Sequence, residues 1–411
     1  MNENEKNAKK PMRGLRILGQ KDPVFDNPIK DVFRANLTIA GCAWVETTEG
    51  IVLIDTLSNE VAGRKAFKNI RGTVKYIIYT HGHGDHVGGA RAFISDNPKI
   101  VANKYLPDRF EKYEMLAPHR GHTTAVQFNM PDVPRKANYV YPTDTFLGEM
   151  KISLGDKTFE LYTERAETDD IVWIFVPELN AAFIGDLMIG SFPNIGNPWK
   201  PTRFALDWAK TLEKIRAKEP YHVFCNGAGY YYKGKRALAA LNANIEVIHS
   251  LHDQVVKYIN EGMHITEMIH TVKIPEHLER NPFLKKLYSR PEFFVYNVYR
   301  WYHGYFDDNP AHLIPRPEKE VIKELFELIG NDQKIIDKAR ELNDSNQFQL
   351  SLQVLDVLLQ ANPEHIEARQ LRIMLVHKLG EMDYCYMSRN AWVYYADKDR
   401  EFLKSQGITF Q

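Results

Sequence analysis

The sequence predicts an α/β fold over roughly its first 235 residues, followed by an all-α helical region. The first prediction depends on runs of β-branched residues that alternate with helical patterns, as in α/β proteins. The second depends on apolar residues that recur at helical spacing over 237–260 and 318–380. Residues 1–20 are polar and basic without periodicity, so we expect a flexible arm. The predicted domains are therefore 21–235 and 236–411.

The predicted elements follow one another in an order that supports this division. Predicted strands cover 36–45, 50–56, 74–79, 99–102, 151–154, 158–162, 171–175, 181–186 and 221–225. Predicted helices cover 59–70 and 205–218, and a further helix starts near His86. The stretch 104–135 has weak periodicity and carries no assignment. Residues 348–372 resemble one tetratricopeptide-like helix–turn–helix, but no second copy follows at a fixed period.

Size and charge limit the classes of protein to which the chain can belong. Its 411 residues correspond to two or three domains at about 150 residues each. Lys and Arg total 53, as do Asp and Glu, so the net charge is zero, which argues against a nucleic-acid partner. No apolar run reaches about 18 residues, the length typical of a membrane span.

Cysteine usage and the first residues predict a cytoplasmic protein. Cys42, Cys225 and Cys385 are far apart and form no Cys-x-x-Cys pair. This pattern indicates neither a disulfide framework nor a thiolate zinc site. The segment 1–6 has no apolar stretch of the kind found in secretory signals.

The strongest chemical signal is the segment from Thr80 to Gly89, Thr-His-Gly-His-Gly-Asp-His-Val-Gly-Gly. Three imidazoles and one carboxylate fall within six residues, directly after a predicted strand. The intervening glycines let the backbone turn tightly enough for these side chains to converge. We expect His81 and His83 to face one divalent metal ion, and Asp85 and His86 a second. Such nitrogen and oxygen ligands suit Zn²⁺, with Fe or Mn as alternatives.

This segment resembles the signature loop of the metallo-β-lactamase superfamily. The resemblance implies an αβ/βα sandwich with two metal ions at one edge, between two sheets. Asp55, which ends the predicted strand at 52–54, matches the early aspartate of the superfamily. The resemblance implies that Asp55 orients a ligating histidine, although an aspartate in a turn at a strand end is the alternative.

Two carboxylates extend the resemblance toward one branch of the superfamily. Glu167 stands where most members have a histidine ligand, which is typical of the alkyl sulfatases, and Asp186 matches the bridging ligand. Residues 296–310 are similar to the Tyr-x-Gly-Trp-Phe-Asp-x-Asn-Pro segment of that branch. Residues 318–395 look like its dimerisation domain, which implies a homodimer. The resemblance covers roughly residues 30–400.

The match breaks at the last metal ligand. Ala228 stands where the family has a histidine, between two intact glycines. Three explanations stay open: an engineered substitution, a replacement ligand such as Tyr230, His222 or water, or a natural site that is mononuclear or degraded. We expect reduced occupancy of the metal ion bound by Asp85, His86 and Asp186.

Substrate-binding residues are less clearly indicated. The Thr-Leu-Arg-Gly pattern of the alkyl sulfatases is missing after Asp186, but Lys200 and Arg203 are candidates for receiving an anion. The alternative is that both are solvated charges. His119 and His122 flank Arg120 and are candidates for positioning an anionic substrate, against the alternative of exposed loop histidines.

The pattern and the resemblance together predict a metal-dependent hydrolase that uses a metal-bound hydroxide to cleave a small-molecule ester. Asp85 and Asp186 are the predicted catalytic carboxylates. An alkyl sulfate-type ester is the first hypothesis for the substrate. A thioesterase or another carboxylic-ester hydrolase on the same site is the alternative enzyme. A catalytically silent, metal-binding dimeric scaffold is the hypothesis from another class, and Ala228 alone supports it.

Overall fold

The computed structural model describes residues 22–133, 138–226 and 229–410, so the predicted arm and Ala228 lie outside the described residues. The described chain forms two compact units. The first contains the residues from Asp22 to Gly121 and from Val133 to Gly304, and the second contains His122–Asp132 and the residues from Tyr305 onward. Each unit is described separately below.

The first sheet of the first unit has seven strands in sequence order, β1 to β7. Their bounds are β1 Val24–Ile29, β2 Val32–Asn36, β3 Gly41–Thr47, β4 Gly50–Ile54, β5 Val74–Ile78, β6 Lys99–Asn103 and β7 Asp144–Phe146. The strands β1 to β4 pair antiparallel through short turns. The strands β4 to β7 pair parallel, so their carboxyl ends meet at one edge of the sheet.

The second sheet has six strands in the order β13-β12-β11-β10-β9-β8. Their bounds are β8 Glu149–Leu154, β9 Lys157–Glu164, β10 Ile171–Val176, β11 Ala181–Phe183, β12 His222–Phe224 and β13 Tyr231–Lys233. Only β11 and β12 pair parallel, while the other neighbours in this sheet are antiparallel. The amino end of β10 therefore lies at the same edge as the carboxyl ends of β11 and β12.

Nine of the described helices begin in the first unit. They are α1 Glu60–Phe67, α2 Gly84–Val87, α3 Leu106–Met115, α4 Ala117–Phe128, α5 Ala205–Ala217, α6 Lys235–Asn260, α7 Ile265–Thr271, α8 Glu276–Glu279 and α9 Pro291–Tyr302. The helix α4 continues into the second unit after Gly121. Among the described residues, the unassigned stretch 104–135 thus forms two helices, which the low apolar periodicity of its sequence did not indicate.

The core of the first unit has a helix–sheet–sheet–helix order. Alternate residues of β10 face opposite sides, and the strand is buried along its whole length because both faces of its sheet are covered. Val172 and Ile174 pack between the two sheets, whereas Trp173 packs in an outer core with Trp208 of α5. Ala62 of α1 and other helical residues cover the outer face of the first sheet in the same way. This is the predicted αβ/βα sandwich.

Helices α6 to α9 belong to this same compact unit, which extends to Gly304. The boundary predicted at residue 235 falls at the start of α6. Leu241 and Ile248 of α6 and Phe294 of α9 pack in the outer core of the second sheet. Truncating a large side chain in such a core costs about 3–5 kcal/mol of unfolding free energy.

The second unit is helical. Its helices after Gly304 are α10 Glu318–Ile329, α11 Asp332–Asp344, α12 Phe348–Ala361, α13 Ile366–Met382 and α14 Tyr386–Ser405. The predicted helix–turn–helix at 348–372 corresponds to α12 and the start of α13, which pack through Leu355 and Leu371. No helix in the described part of the chain is long and apolar enough to cross a membrane.

Candidate metal centre

The histidine-rich segment leaves the carboxyl end of β5 and enters the short helix α2. His83 caps this helix with an extended backbone, so the helix begins at Gly84, slightly before the predicted start at His86. The backbone N–H of Gly82 donates to Asp170 Oδ2 at 2.8 Å, and Arg109 Nε lies 2.8 Å from Asp170 Oδ1. A Cβ atom at Gly82 would lie 2.7 Å from Arg109 Cδ, so a larger residue here would require the Arg109 side chain to shift.

A first cluster of ligand atoms, from His81, His83, Glu167 and Asp186, lies at the edge where the two sheets meet. One ligand atom from each residue lies within 4.8 Å of the others. His81 Nε2 and His83 Nδ1 are 2.7 Å apart, and Glu167 Oε2 lies 3.4 and 3.5 Å from them. His81 and Glu167 are buried. The predicted ligands His81, His83 and Glu167, from two separate parts of the chain, therefore converge with Asp186.

A second cluster contains Asp85, His86 and Asp186, again with ligand atoms within 4.8 Å of one another. His86 Nε2 lies 3.2 Å from Asp186 Oδ1 and 3.8 Å from Asp85 Oδ2. Asp186 belongs to both clusters, which is the placement expected of a bridging carboxylate. Among the described residues this cluster has three donors, one fewer than the first.

Asp55 orients His86 from behind. Its backbone has φ 59°, in the left-handed region. Asp55 Oδ2 lies 2.7 Å from His86 Nδ1 and accepts from Asn226 Nδ2 at 2.9 Å, while Thr80 donates through both N and Oγ1 at 2.8 Å. A carboxylate at Nδ1 keeps a proton on that nitrogen, so Nε2 is the ring nitrogen that would ligate a cation.

Three buried polar atoms in the clusters have no hydrogen-bond partner in the described part of the chain: His86 Nε2, Glu167 Oε2 and Asp186 Oδ1. A buried polar atom left without a partner costs about 1–3 kcal/mol. All three atoms belong to side chains that could ligate a cation. Imidazole nitrogen and carboxylate oxygen suit Zn²⁺, Fe²⁺ or Mn²⁺, so the residues present fit divalent metal ions.

The electrostatics of the two clusters differ. Burial and the neighbouring His86 and His83 hold the pKa of His81 well below its usual range. Burial also opposes the charged form of His86, but Asp186 and Asp55 outweigh it and raise the pKa of His86 well above its usual range. Burial raises the pKa of Asp186, and the charges of Glu167 and Asp85 add to this effect. The second cluster therefore holds protons that a cation must displace.

Arg203 and Lys200 differ in burial, since Arg203 is buried and Lys200 is half-buried. Arg203 is only 4% exposed, and its Nη1 donates to Glu167 Oε1 and to the Asn194 carbonyl, the latter at 2.7 Å. The solvated alternative is therefore wrong for Arg203. Lys200 is half-buried, and burial, followed by the charges of Arg203 and Arg120, lowers its pKa to about 8. The charges of Asp85 and Glu167 act in the opposite direction, which places Lys200 near the clusters.

The remaining predicted site residues do not join the clusters. His119 is exposed on α4. His122 belongs to the second unit, where its Nδ1 lies 2.7 Å from Asp132 Oδ2. Nδ1 of His222, a suggested replacement ligand, lies 2.6 Å from the Tyr231 hydroxyl, and His222 belongs to neither cluster. Tyr230 is partly exposed.

Several neighbours of the clusters went unnoticed in the sequence. Asn226 and Asp170 lie close in sequence to Ala228 and Glu167, but nothing in their spacing indicated which atoms they would hold. Tyr288 lies close enough to the carboxylates that, besides burial, Asp85 and Glu167 raise its pKa. Its sequence position, far from every ligand, carried no signal of this proximity.

Comparison with known proteins agrees with the geometry. Residues 38–224 match the family model of the metallo-beta-lactamase superfamily, and residues 264–401 match that of alkyl sulfatase dimerisation. A linear primary-alkylsulfatase from Pseudomonas sp. (strain ATCC 19151) is 24% identical over 82% of this chain and 69% of its own length. An (R)-specific secondary-alkylsulfatase from Pseudomonas sp. is 24% identical over 87% of this chain and 58% of its own length.

The fold is also found in a solved structure. The stereoselective inverting sec-alkylsulfatase Pisa1 from Pseudomonas sp. superposes with a TM-score of 0.83 at 20% identity. The match covers 92% of this chain and 66% of that chain. The chain thus spans about three fifths to two thirds of the length of these relatives.

Two sheets between helices, with a His-x-His-x-Asp-His segment at their shared edge, define a metallohydrolase fold. The chain thus combines a region similar to the metallo-β-lactamase superfamily, residues 38–224, with a region similar to the alkyl sulfatase dimerisation family, residues 264–401.

Proposed function

We propose that this protein is a metal-dependent hydrolase that converts an alkyl sulfate and water into an alcohol and hydrogen sulfate. The observation that carries the proposal is the pair of clusters that share Asp186, with three buried ligand atoms that have no hydrogen-bond partner among the described residues. The alkyl sulfatase names of the relatives support the choice of substrate. Zinc is the proposed metal, because imidazole and carboxylate ligands suit it.

His81, His83 and Glu167 would hold one cation, and Asp85 and His86 the other, with Asp186 shared between them. Two divalent cations in such a site supply Lewis acidity toward the ester and lower the pKa of water toward neutrality. Asp85 and Asp186 are the proposed catalytic carboxylates. Their side chains are partly exposed, which lets them accept hydrogen bonds from water.

Lys200 is the proposed receptor for the sulfate group. A sulfate ester carries one negative charge, and a half-buried ammonium near the clusters attracts it more strongly than a solvated one. Burial, followed by the positive charges of Arg203 and Arg120, disfavours the charged form of Lys200 and lowers its pKa to about 8. A bound anion would favour the charged form.

The proposed homodimer is supported by the dimerisation family match and by the surface of α10. Val321, Leu325 and Leu328 recur at helical spacing and are exposed. We expect sedimentation velocity to give the mass of two chains, and a clean monomer would contradict the dimer. Location in the cytoplasm stays a prediction.

The test is release of sulfate from a linear primary alkyl sulfate by the full chain loaded with Zn²⁺. Asp85→Asn should abolish release, whereas Asp156→Asn, on an exposed turn, should leave it unchanged. The variant Ala228→His is assayed beside the native chain, since Ala228 stands where a ligand is expected. Absence of sulfate release from both would overturn the proposal. Hydrolysis of a thioester instead would favour the alternative enzyme.

A further inference from the structure

A buried guanidinium lies directly behind the first cluster. Arg203 Nη1 donates to Glu167 Oε1 and to the carbonyl of Asn194 at 2.7 Å. Both Arg203 and Glu167 are buried. Arginine presents a planar donor group of fixed geometry, so this contact restricts the orientation of the carboxylate as well as its charge.

The backbone of Arg203 is itself held by one amide side chain. Arg203 N donates to Asn297 Oδ1 at 2.7 Å, and Asn297 Nδ2 donates to Arg203 O at 2.9 Å. Asn297 is buried on α9. A primary amide offers both a donor and an acceptor, which a carboxylate or a hydrocarbon of the same shape cannot do.

The hydrogen bonds from Glu167 to Arg203 and from Arg203 to Asn297 join two regions of the sequence. Glu167 lies in the part that matches the metallo-beta-lactamase superfamily, and Asn297 lies in the part that matches alkyl sulfatase dimerisation. Both belong to the first compact unit. The second matched region therefore reaches a predicted metal ligand through Arg203.

We propose that Arg203, held by Asn297, is a positioning residue that restricts Glu167 to ligating metal through Oε2 alone. Oε1 is occupied by the guanidinium, while Oε2 has no hydrogen-bond partner among the described residues. Oε2 lies 3.4 Å from His81 Nε2 and 3.5 Å from His83 Nδ1, where a shared cation would be bound. This inference rests on the proposed metal centre.

Charge and positioning predict opposite effects when Arg203 is removed. A neighbouring positive charge repels a cation, so its loss should tighten metal binding if charge alone mattered. If positioning dominates, Glu167 becomes free to rotate, and metal binding weakens. Loss of such an outer contact to a ligand typically weakens binding about 10–100-fold.

The experiment measures Zn²⁺ affinity of the full chain by competition with a chelating indicator, together with the visible spectrum of the Co²⁺-loaded protein. We expect Arg203→Met and Asn297→Leu to weaken the tight binding phase about 10–100-fold and to change the Co²⁺ spectrum. Arg203→Lys keeps the buried charge but not the planar donor group, so it should weaken binding in the same direction. If Arg203→Met does not fold, the measurement on Arg203→Lys takes its place.

Arg165→Met is the matched control. Arg165 is exposed and pairs with Asp207 at 2.7 Å, so its loss removes a nearby positive charge without touching Glu167. Binding as tight as native, or tighter, in the Arg203 variants would overturn the inference. A native chain that binds no divalent metal would instead overturn the proposed function as well.

Discussion

The two clusters of the candidate site share Asp186 but differ in how completely the chain supplies them. The first has two imidazoles and two carboxylates, with Arg203 behind Glu167. The second has one imidazole and two carboxylates in the described chain, with Asp55 behind its histidine. The sequence position where a fourth donor is expected carries Ala228. Among the described residues, the first cluster therefore has the four donors of a complete metal site, whereas the second has three.

The largest expected effect comes from the residue that both clusters share. Asp186→Ala should remove metal from both clusters, because it deletes the proposed bridging oxygen atoms. We expect metal content near zero by plasma mass spectrometry and loss of sulfate release by about 10²–10³-fold, as for other groups that act at the reacting atoms. Asp156→Ala is the control. Retention of one metal ion per chain would show that the clusters do not depend on this residue equally.

Restoring the missing imidazole should affect the second cluster alone. We expect Ala228→His to raise the metal content from about one to about two ions per chain, because it would add a fourth protein donor to a cluster that has three among the described residues and shares one of them with the first cluster. The first metal should bind with unchanged affinity. Two ions in both proteins would mean that another ligand already completes the second cluster.

The pH dependence of metal binding should separate the clusters further. The raised pKa of His86 favours the imidazolium, with protons on both ring nitrogens, in the metal-free protein. The lowered pKa of His81 keeps its imidazole neutral. Binding at the second cluster should therefore release a proton, and its affinity should fall about tenfold per pH unit below the pKa of His86. Calorimetry in buffers of different ionisation enthalpy measures this release. Equal proton release at both clusters would contradict the assignment.

A smaller effect is expected from Lys200. Its pKa of about 8 means that the ammonium loses its proton as pH rises through that value, so KM for an alkyl sulfate should increase above pH 8 while kcat changes less. Bound cations would lower this pKa further. Lys200→Gln should raise KM about tenfold and remove the dependence, whereas Lys200→Arg should keep KM low at high pH. An unchanged profile in Lys200→Gln would exclude this role.

The sequence predicted the parts of the site whose residues are close together along the chain. Four candidate ligands lie within the six residues 81–86, and their spacing alone predicts a metal site. The strands before and after this segment were predicted from runs of β-branched residues. Glu167 and Asp186 needed the resemblance to a family, since each stands alone in sequence. The contact between Arg203 and Glu167 was not predictable, because a lone arginine gives no indication of which carboxylate it will face after folding.

The same limit applies to the fold. A run of β-branched and aromatic residues predicted strands such as β10, but the sequence of the stretch 104–135, which contains α3 and α4, lacks a clear apolar stripe. The domain boundary predicted near residue 235 depends on a change in the periodicity of apolar residues. The first compact unit is instead defined by packing, and it extends to Gly304. Phe294 of α9 packs in the outer core with Trp208, a contact between distant segments that no local pattern reveals.

The end of the histidine segment is hydrogen-bonded to the residues that follow β4. Thr56 N donates to His86 O at 2.6 Å, and Gly89 N donates to Leu57 O at 3.1 Å. A Cβ atom at Gly89 would lie 1.9 Å from Thr56 O, so no other residue allows the two backbones this close. A designer who transplants the histidine segment onto another scaffold must therefore move 55–59 with it, as a two-piece graft. The smallest part of the site that can be transplanted therefore consists of two loops, held together by backbone hydrogen bonds.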